Sequence, residues 1–402
     1  MTIEIRAAAS EEAAPFRQVM GHAFGFDPNE KTIDRFLSLW EPERTRNAYD
    51  DGKMVATLGV ISLQLTVPGA VLPAGGTSMV SVLPSHRRQG LLRKMMLAHL
   101  DDVTEHDEPI VALWASESSI YGRFGFGTAS NAVDVTAPTS HGRFHRLAPE
   151  PASVDLITAE QARTVLPAIH DKFRTSWPGM YARSEAWWSG RWFFDAEGER
   201  DGATRLRFGL SSLGDGYVIY RQKEKWTAGN PDGELVVSDL VAETPESWSG
   251  LWSFILNHDL ASKVTANLRS PQDPLFGFLA APRRTSLRPG DGLWVRLQDP
   301  ARALAARRYS TEGELVIEAH DPLDNRVHTL FLEAGPDGAS CSPTDRQPEI
   351  VLDLEDLGAV YLGWSRFRSF ARAGRLSGDH HALARADNMF SWDPAPWCPE
   401  IF

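Results

Sequence analysis

The stretch from Thr77 to Lys94 (Thr-Ser-Met-Val-Ser-Val-Leu-Pro-Ser-His-Arg-Arg-Gln-Gly-Leu-Leu-Arg-Lys) constrains the chain more than any other. It reads as a strand, a short turn and the start of a helix. Val80 and Val82 are β-branched and suit a pleated surface. Pro84 ends the strand, because proline cannot donate to a ladder, and Ser85 suits a helix start. Beyond Gly90 the apolar residues Leu92, Met95, Met96, Leu100 and Val103 recur at helical spacing. A helix beginning here directs unpaired N–H groups and the positive end of its dipole at the turn. Arg87 and Arg88 add fixed positive charge, and Gly90 allows close approach to the backbone. Together these make an anion site suited to a pyrophosphate. A bare Arg-Arg-x-Gly is equally what a solvated surface helix carries, so the whole string bears the weight.

That string, Val80-Ser81-Val82-x-Pro84-x-x-Arg87-Arg88-x-Gly90-Leu91-Leu92, resembles the acetyl-coenzyme A motif of the GNAT superfamily of N-acetyltransferases. The usual motif ends Gly-x-Gly or Gly-x-Ala, and Leu92 departs from it. The resemblance implies a splayed pair of strands, one carrying Val80 and Val82 and the other Ile110–Ala115, with the pantetheine arm between them. Peptide groups around Val80 and Val82 would bond the pantetheine amides and polarise the thioester. An amine then attacks directly, a base takes its proton and an acid protonates the thiolate. The protein supplies positioning and electrostatic stabilisation.

The order of elements agrees. Ile3 to Arg6 alternates as a strand, Glu11 to Phe24 and Lys31 to Trp40 read as helices, and Lys53 to Val67 reads as a strand ended by Pro68-Gly69. Leu72 to Gly76 reads as a turn before the motif strand. Ile110 to Ala115 is a continuous apolar run, as in a strand covered on both faces. Tyr121, after that strand, is the candidate acid, although Ile120-Tyr-Gly-Arg-Phe-Gly-Phe126 is also a packing segment. Ser116 and Glu117 either touch the cofactor or cap the following turn. His22, His86 and His99 are base candidates, and a lone histidine is more often a packing or surface residue.

A chain of 402 residues is long for one domain, so two or three are expected. Its 42 % hydrophobic content and 13 tryptophans support sizeable cores. A net charge of −12 argues against nucleic acid or an anionic membrane as partner and suits a cationic substrate. Cys341 and Cys398 make no disulfide framework or metal pattern. Met1-Thr-Ile-Glu-Ile-Arg6 lacks a basic-then-apolar signal, and no apolar run approaches the ~20 residues that span a bilayer. The expectation is a cytoplasmic protein without a metal.

The apolar pattern lapses near Thr139–His145, placing a boundary near 148. Leu235 to Val241, then Thr244-Pro-Glu-Ser-Trp-Ser-Gly-Leu-Trp, repeats strand, proline and helix without the arginine pair or the glycine at the helix start. This suggests a second acetyltransferase-like domain over 149–295 that no longer binds coenzyme A, or else an unrelated α/β domain. Strand and helix candidates over 296–402 form a third region. It ends in the proline-rich tail Asp393–Phe402, whose Trp397, Ile401 and Phe402 are unusual for a disordered end.

Taken together, the chain resembles the enhanced intracellular survival (Eis) family of bacterial acetyltransferases over essentially its whole length. The marks are Arg87-Arg88-Gln89-Gly90-Leu91-Leu92 and Ala115-Ser116-Glu117 followed by Ile120-Tyr121-Gly122-Arg123-Phe124-Gly125. Weaker marks are Pro271-Gln-Asp-Pro-Leu275, Asp291-Gly-Leu-Trp294 and terminal Phe402. The resemblance implies an α/β (α+β) chain of tandem GNAT-like domains, active over 1–148 and degenerate over 149–295. A sterol-carrier-protein-like domain over 296–402 follows, with its tail reaching the active site, and the chain assembles as a homohexamer. Tyr121 would be the acid, and the base would be the terminal carboxylate of Phe402. A free α-carboxyl, with pKa ~3.5, is a poor base that partial burial improves. Backbone and side chains at Val80, Ser81, Val82, Arg87, Arg88, Gln89, Gly90, Leu91, Leu92, Arg93, Ser116 and Glu117 would bind acetyl-coenzyme A. Phe24, Phe26, Asp27, Phe36, Met79, Asp291 and Glu400 would line the acceptor pocket, their carboxylates attracting amines. The implied activity is N-acetylation of aminoglycosides, at one or several amines, with antibiotic resistance as the consequence. Met79 replaces an aromatic residue and Ile401 an acidic one, which bears on substrate range. A protein lysine is an alternative acceptor, and a ligand-binding protein with a vestigial transferase site is the alternative from another class.

Overall fold

The fold comes from a computed structural model that describes residues 3–29 and 33–402. The chain forms two compact units: residues 1–130, 293–393 and 401–402 make the first, and residues 131–292 and 394–400 the second. The third region packs within the first unit.

In the first unit, β1 (Ile3–Arg6), α1 (Ala13–Phe24) and α2 (Ile33–Leu39) precede β2 (Asn47–Asp50). Lys31, where the second helix was expected to begin, lies outside the described residues. The long hairpin of β3 (Lys53–Val67) and β4 (Ala70–Val82) turns at Pro68-Gly69. The turn expected at Leu72–Gly76 is therefore strand. Its glycines serve packing: a Cβ on Gly75 would lie 2.7 Å from Val103 Cγ2, and one on Gly76 would lie 2.8 Å from Leu63 Cδ1. Pro73 precedes the ladder with β5 (Ile110–Trp114) by one residue, so its missing N–H interrupts no pairing there. Helix α3 (Leu91–Glu105) covers the sheet with Met95, Met96, Leu100 and Val103.

The sheet runs β1-β2-β3-β4-β5-β16-β6. Here β6 is Gly127–Thr128 and β16 is Leu293–Leu297, so the strand beside β5 comes from far along the chain. Leu293 and Trp294, the end of the string Asp291-Gly-Leu-Trp294 that reads as a lead into the third region, thus supply this sheet. The third region has a five-stranded sheet, β19-β18-β17-β20-β21. Its strands are β17 (Gly313–His320), β18 (Val327–Gly335), β19 (Gly338–Pro343), β20 (Ile350–Asp353) and β21 (Ser377–Gly378). Its helices are α8 (Pro300–Ala306), α9 (Leu354–Tyr361), α10 (Phe367–Arg372) and α11 (His380–Phe390). Helix α9 lies so near β6 and β16 that a Cβ on Gly127 or Gly358 would strike the carbonyl of Glu355 or Val295. Arg296 on β16 is fully buried against Asp321, Nη2 to Oδ2 2.5 Å. These two joints explain why the third region shares the first unit.

The second unit begins with β7 (Asn131–Pro138), β8 (Val154–Ile157) and α4 (Ala159–Arg174). The expected tryptophan-rich helix is α5 (Glu185–Trp187) running into a π-helical turn, Trp188–Trp192. Then come β9 (Arg207–Ser211), β10 (Gly216–Lys223), and a small hairpin of β11 (Trp226–Thr227) and β12 (Asn230–Pro231). After it follow β13 (Gly233–Ala242), α6 (Pro245–Leu256), β14 (Ala261–Arg269), α7 (Leu275–Phe278) and β15 (Ser286–Asp291). The sheet order is β15-β7-β14-β13-β10-β9-β8, with β13 and β14 parallel. This repeats the first sheet: a meander, one parallel pair, then two antiparallel strands.

Candidate active site

The parallel ladder of β4 and β5 ends at Thr77 opposite Leu113, yet β4 continues five residues to Val82. Beyond Leu113, Trp114 pairs with Leu293 on β16. The strands thus part above Thr77, leaving one flank of Ser78–Val82 without a ladder partner. Parity identifies the groups on that flank. Leu83 N–H donates to Val55 O on β3 (3.0 Å), so Ser81 and Leu83 direct their peptides to β3. Val80 and Val82 direct theirs into the gap.

Between them the register slips: β3 and β4 are out of step between Thr57 and Gly59, and Met79 has φ +53°. This is a bulge at a non-glycine residue, a strained feature common beside functional sites. Thr57 holds it. Its hydroxyl donates to Met79 O (2.7 Å) and therefore accepts the proton of Ser81 Oγ (2.6 Å). The Met79 side chain fills the space a Cβ on Gly59 would need, with Cε 2.4 Å away. Sequence reasoning missed Thr57, and a glycine inside a strand was the available signal.

The turn leading to α3 is a 3₁₀ segment, Pro84–His86, followed by Arg88 at φ +63° and Gly90 at φ +76°. Gly90, not Ser85, caps the helix; Ser85 Oγ instead meets His86 Nδ1 (2.8 Å), and His86 Nε2 reaches Asp50 Oδ2 (3.3 Å). Two left-handed residues flanking Gln89 bring the chain into the helix, whose first-turn N–H groups have no partner within the helix. A Cβ on Gly90 would meet nothing within 4 Å, so space is open there. Gln89 is exposed, Leu91 is buried in the core and Leu92 packs against it. Arg93 turns away to donate to Leu323 O (2.7 Å), a joint within the first unit.

Tyr121 shares the apolar cluster that includes Val80 and Val82, and its ring meets Phe126 edge-on, centroids 6.2 Å apart. Burial raises its pKa, so the phenol is protonated at neutral pH. Among the described residues no hydrogen bond engages its hydroxyl. Ser116 and Glu117 are exposed just past β5, with Glu117 Oε1 accepting from Ser119 Oγ (3.1 Å). His99 is fully buried, Nε2 on Thr77 Oγ1 (2.7 Å), and desolvation lowers its pKa to about 3. It is neutral and structural, not a base.

The residues expected to line the acceptor pocket divide. Phe24 and Phe26 are 49 % and 44 % exposed at the end of α1, and Phe26 and Asp27 line a hollow of about 340 Å³ with Gln18, His22 and Pro28. Phe36 and Met79 instead pack into a second apolar cluster, Phe36 between Phe16 and Trp40 with centroids 5.8 and 5.3 Å away. Asp291 is exposed on β15 of the second unit. Glu400, also in that unit, is 3 % exposed and fully engaged: Oε1 accepts from Arg183 Nε (2.6 Å), and Oε2 from Trp187 and Trp192 Nε1 (2.7 and 2.8 Å). It is an anchor rather than a pocket carboxylate. Phe402 is half-buried and belongs to the first unit.

A splayed parallel pair followed by a left-handed glycine at a helix start is the plan of an acetyltransferase of the GNAT type. Residues 4–129 and 179–297 each match an acetyltransferase (GNAT) domain family, and residues 300–399 match a sterol carrier protein domain. The N-acetyltransferase Eis of Mycobacterium tuberculosis (strain H37Ra) is 36 % identical over 83 % of this chain and 82 % of its own. An uncharacterized N-acetyltransferase of Streptomyces avermitilis is 32 % identical over 100 % of this chain and 99 % of its own. The crystal structure of Eis1 from Mycobacterium abscessus superposes with a TM-score of 0.86 at 29 % identity, covering 100 % of both chains. The chain belongs to the Eis family of N-acetyltransferases. No helix among the described residues is long and apolar enough to cross a membrane.

Proposed function

We propose that the first unit transfers the acetyl group of acetyl-coenzyme A to amines of a small polycationic acceptor, with aminoglycosides the expected class. The parting of β4 from β5 at Thr77 and Leu113 carries this reading. Bound acetyl-coenzyme A supplies an acetyl group activated as a thioester. The Val80 peptide groups and the Val82 N–H face its amide-bearing arm, while Val82 O accepts from Arg87 Nε (3.4 Å). The amides after Gly90, with Arg87 and Arg88, offer positive potential to its phosphates. The Phe402 carboxylate takes a proton from the attacking amine, and the Tyr121 phenol gives one to the departing sulfur. No covalent bond to the protein forms. Phe24 and Phe26 offer apolar faces and Asp27 a carboxylate for a cationic amine.

The test is thiol release from acetyl-coenzyme A with an aminoglycoside, a simple polyamine and a lysine-rich peptide. Release with the aminoglycoside, and a product heavier by more than one acetyl group, is expected. Release with the peptide alone moves the acceptor to protein lysine. A chain extended by a few residues beyond Phe402 should bind acetyl-coenzyme A yet lose turnover, and full activity would remove Phe402 as the base.

A further inference from the structure

The second unit contains the same parting of strands. Its parallel ladder ends at Val237 opposite Ala266, and β13 also continues five residues, to Ala242. Counting from the ladder ends, Leu240 stands where Val80 stands, Asp239 where Met79 stands, and Arg269 where Ser116 stands. This second gap is filled. Arg269 Nη1 donates to Leu240 O (3.0 Å), capping a carbonyl of the parted strand, while Asp273 holds the guanidinium from Nε (2.8 Å). Trp397 from the tail lies against that guanidinium, which sits 4.6 Å from its ring, and donates Nε1 to Leu268 O on the other strand (2.6 Å).

The rest of the tail is held as firmly. Trp397 N–H donates to Pro178 O (2.7 Å) and Ala395 N–H to Gln272 Oε1 (3.0 Å). Glu400 receives Arg183, whose Nη1 donates to Asp239 Oδ2 on β13 (2.7 Å); Tyr217 O–H donates to the same oxygen (2.7 Å). Arg183, Asp239, Trp397 and Glu400 are all nearly inaccessible to solvent. A removed partner would leave a buried charge uncompensated.

We propose that the second acetyltransferase-like domain is a dock for the chain's own segment Pro394–Glu400. Arg183 and Arg269 are the positioning residues that hold this segment, and with it the two residues that follow. Two residues reach about 7 Å, so the chain itself tethers the Phe402 carboxylate to Glu400. The catalytic consequence rests on the reading of Phe402 as the base.

The test uses the full chain with Glu400→Gln and, separately, Arg183→Lys. Backbone amide exchange is followed at Ala395 and Trp397 and in the sheet of the second unit, alongside kcat and KM. In Glu400→Gln the two tail amides should exchange at least 10-fold faster while the sheet is unchanged. There kcat should fall about 10-fold with KM for acetyl-coenzyme A unmoved, and Arg183→Lys should retain part of the rate. Unchanged tail exchange, or loosening of the whole unit together, overturns the dock. A released tail with unchanged kcat overturns the positioning role. The chain extended beyond Phe402 reports separately on the base itself. If the extension abolishes turnover while Glu400→Gln leaves the tail protected, the base stands and the dock falls.

Discussion

The two gaps have the same backbone plan and opposite contents. In the first, the parted flank at Val80 and Val82 is followed by a turn of eight residues, Leu83–Gly90, that ends in left-handed Gly90 at the helix start. In the second, only Glu243 and Thr244 separate β13 from α6, Thr244 caps that helix through its side chain, and there is neither arginine pair nor left-handed glycine. A two-residue turn has no spare amides to cradle phosphates. Leu240 O, the counterpart of a gap-facing carbonyl in the first unit, is bonded to Arg269. An unbonded buried carbonyl is costly, so a parted strand pair has two solutions: keep the gap open to a ligand, or close it with the chain's own groups. The first unit is read as one and the second takes the other.

The largest expected effect tests the closed gap. Trp397 is fully buried between Phe173, Trp177 and Arg269. Trp397→Ala should cost about 3–5 kcal/mol of stability, read by denaturant unfolding, and a loss below about 1 kcal/mol would mean Trp397 is not what fills the gap. The next converts the open gap into a closed one. Ser116→Arg places a guanidinium where Arg269 stands and should weaken acetyl-coenzyme A binding about 100-fold, close to 2.7 kcal/mol, with the fold retained. Unchanged titration calorimetry would break the equivalence of the two gaps.

The ladder ends also differ. Thr77 is bonded to buried His99, whereas its counterpart Val237 carries no polar side chain. His99 is held neutral down to about pH 3, against an ordinary value of 6.5. Its stabilisation is full above pH 6.5 and is lost as pH falls toward 3, because only the unfolded chain binds the proton in that window. Stability should therefore fall by up to about 1.4 kcal/mol per pH unit there, a slope that His99→Gln should flatten. An identical slope in the variant would assign the acid sensitivity elsewhere. The smallest effect is that of Gly90→Ala. A Cβ there meets nothing, so the cost is the left-handed backbone alone, about 1 kcal/mol. A much larger loss of acetyl-coenzyme A affinity than of stability would show that the space itself admits the ligand.

The residue string from Val80 to Leu92 makes the strand, turn and helix legible without coordinates, because each step depends on neighbours within a few positions. The helical stripe of α3, the apolar run of β5 and the break at Pro68-Gly69 are of the same kind. Gly75 and Gly76 misled, since they read as a turn but serve close packing beneath Val103 and against Leu63. The bulge at Met79 was also out of reach, as it depends on Thr57 and Gly59 in the opposing strand.

By itself, then, the sequence determined the local elements, the glycine turn into α3 and the repetition of the strand-helix plan. These follow from backbone preferences and short periodicities that any fold must respect. The tertiary structure alone decided that Leu293–Leu297 completes the first sheet, that Glu400 is an anchor, and that Trp397 and Arg269 close the second gap. Each joins residues remote in sequence, such as Arg183 with Glu400 and Leu268 with Trp397. Which buried donor finds which buried acceptor is settled only when the folded chain brings them together and withholds water from both.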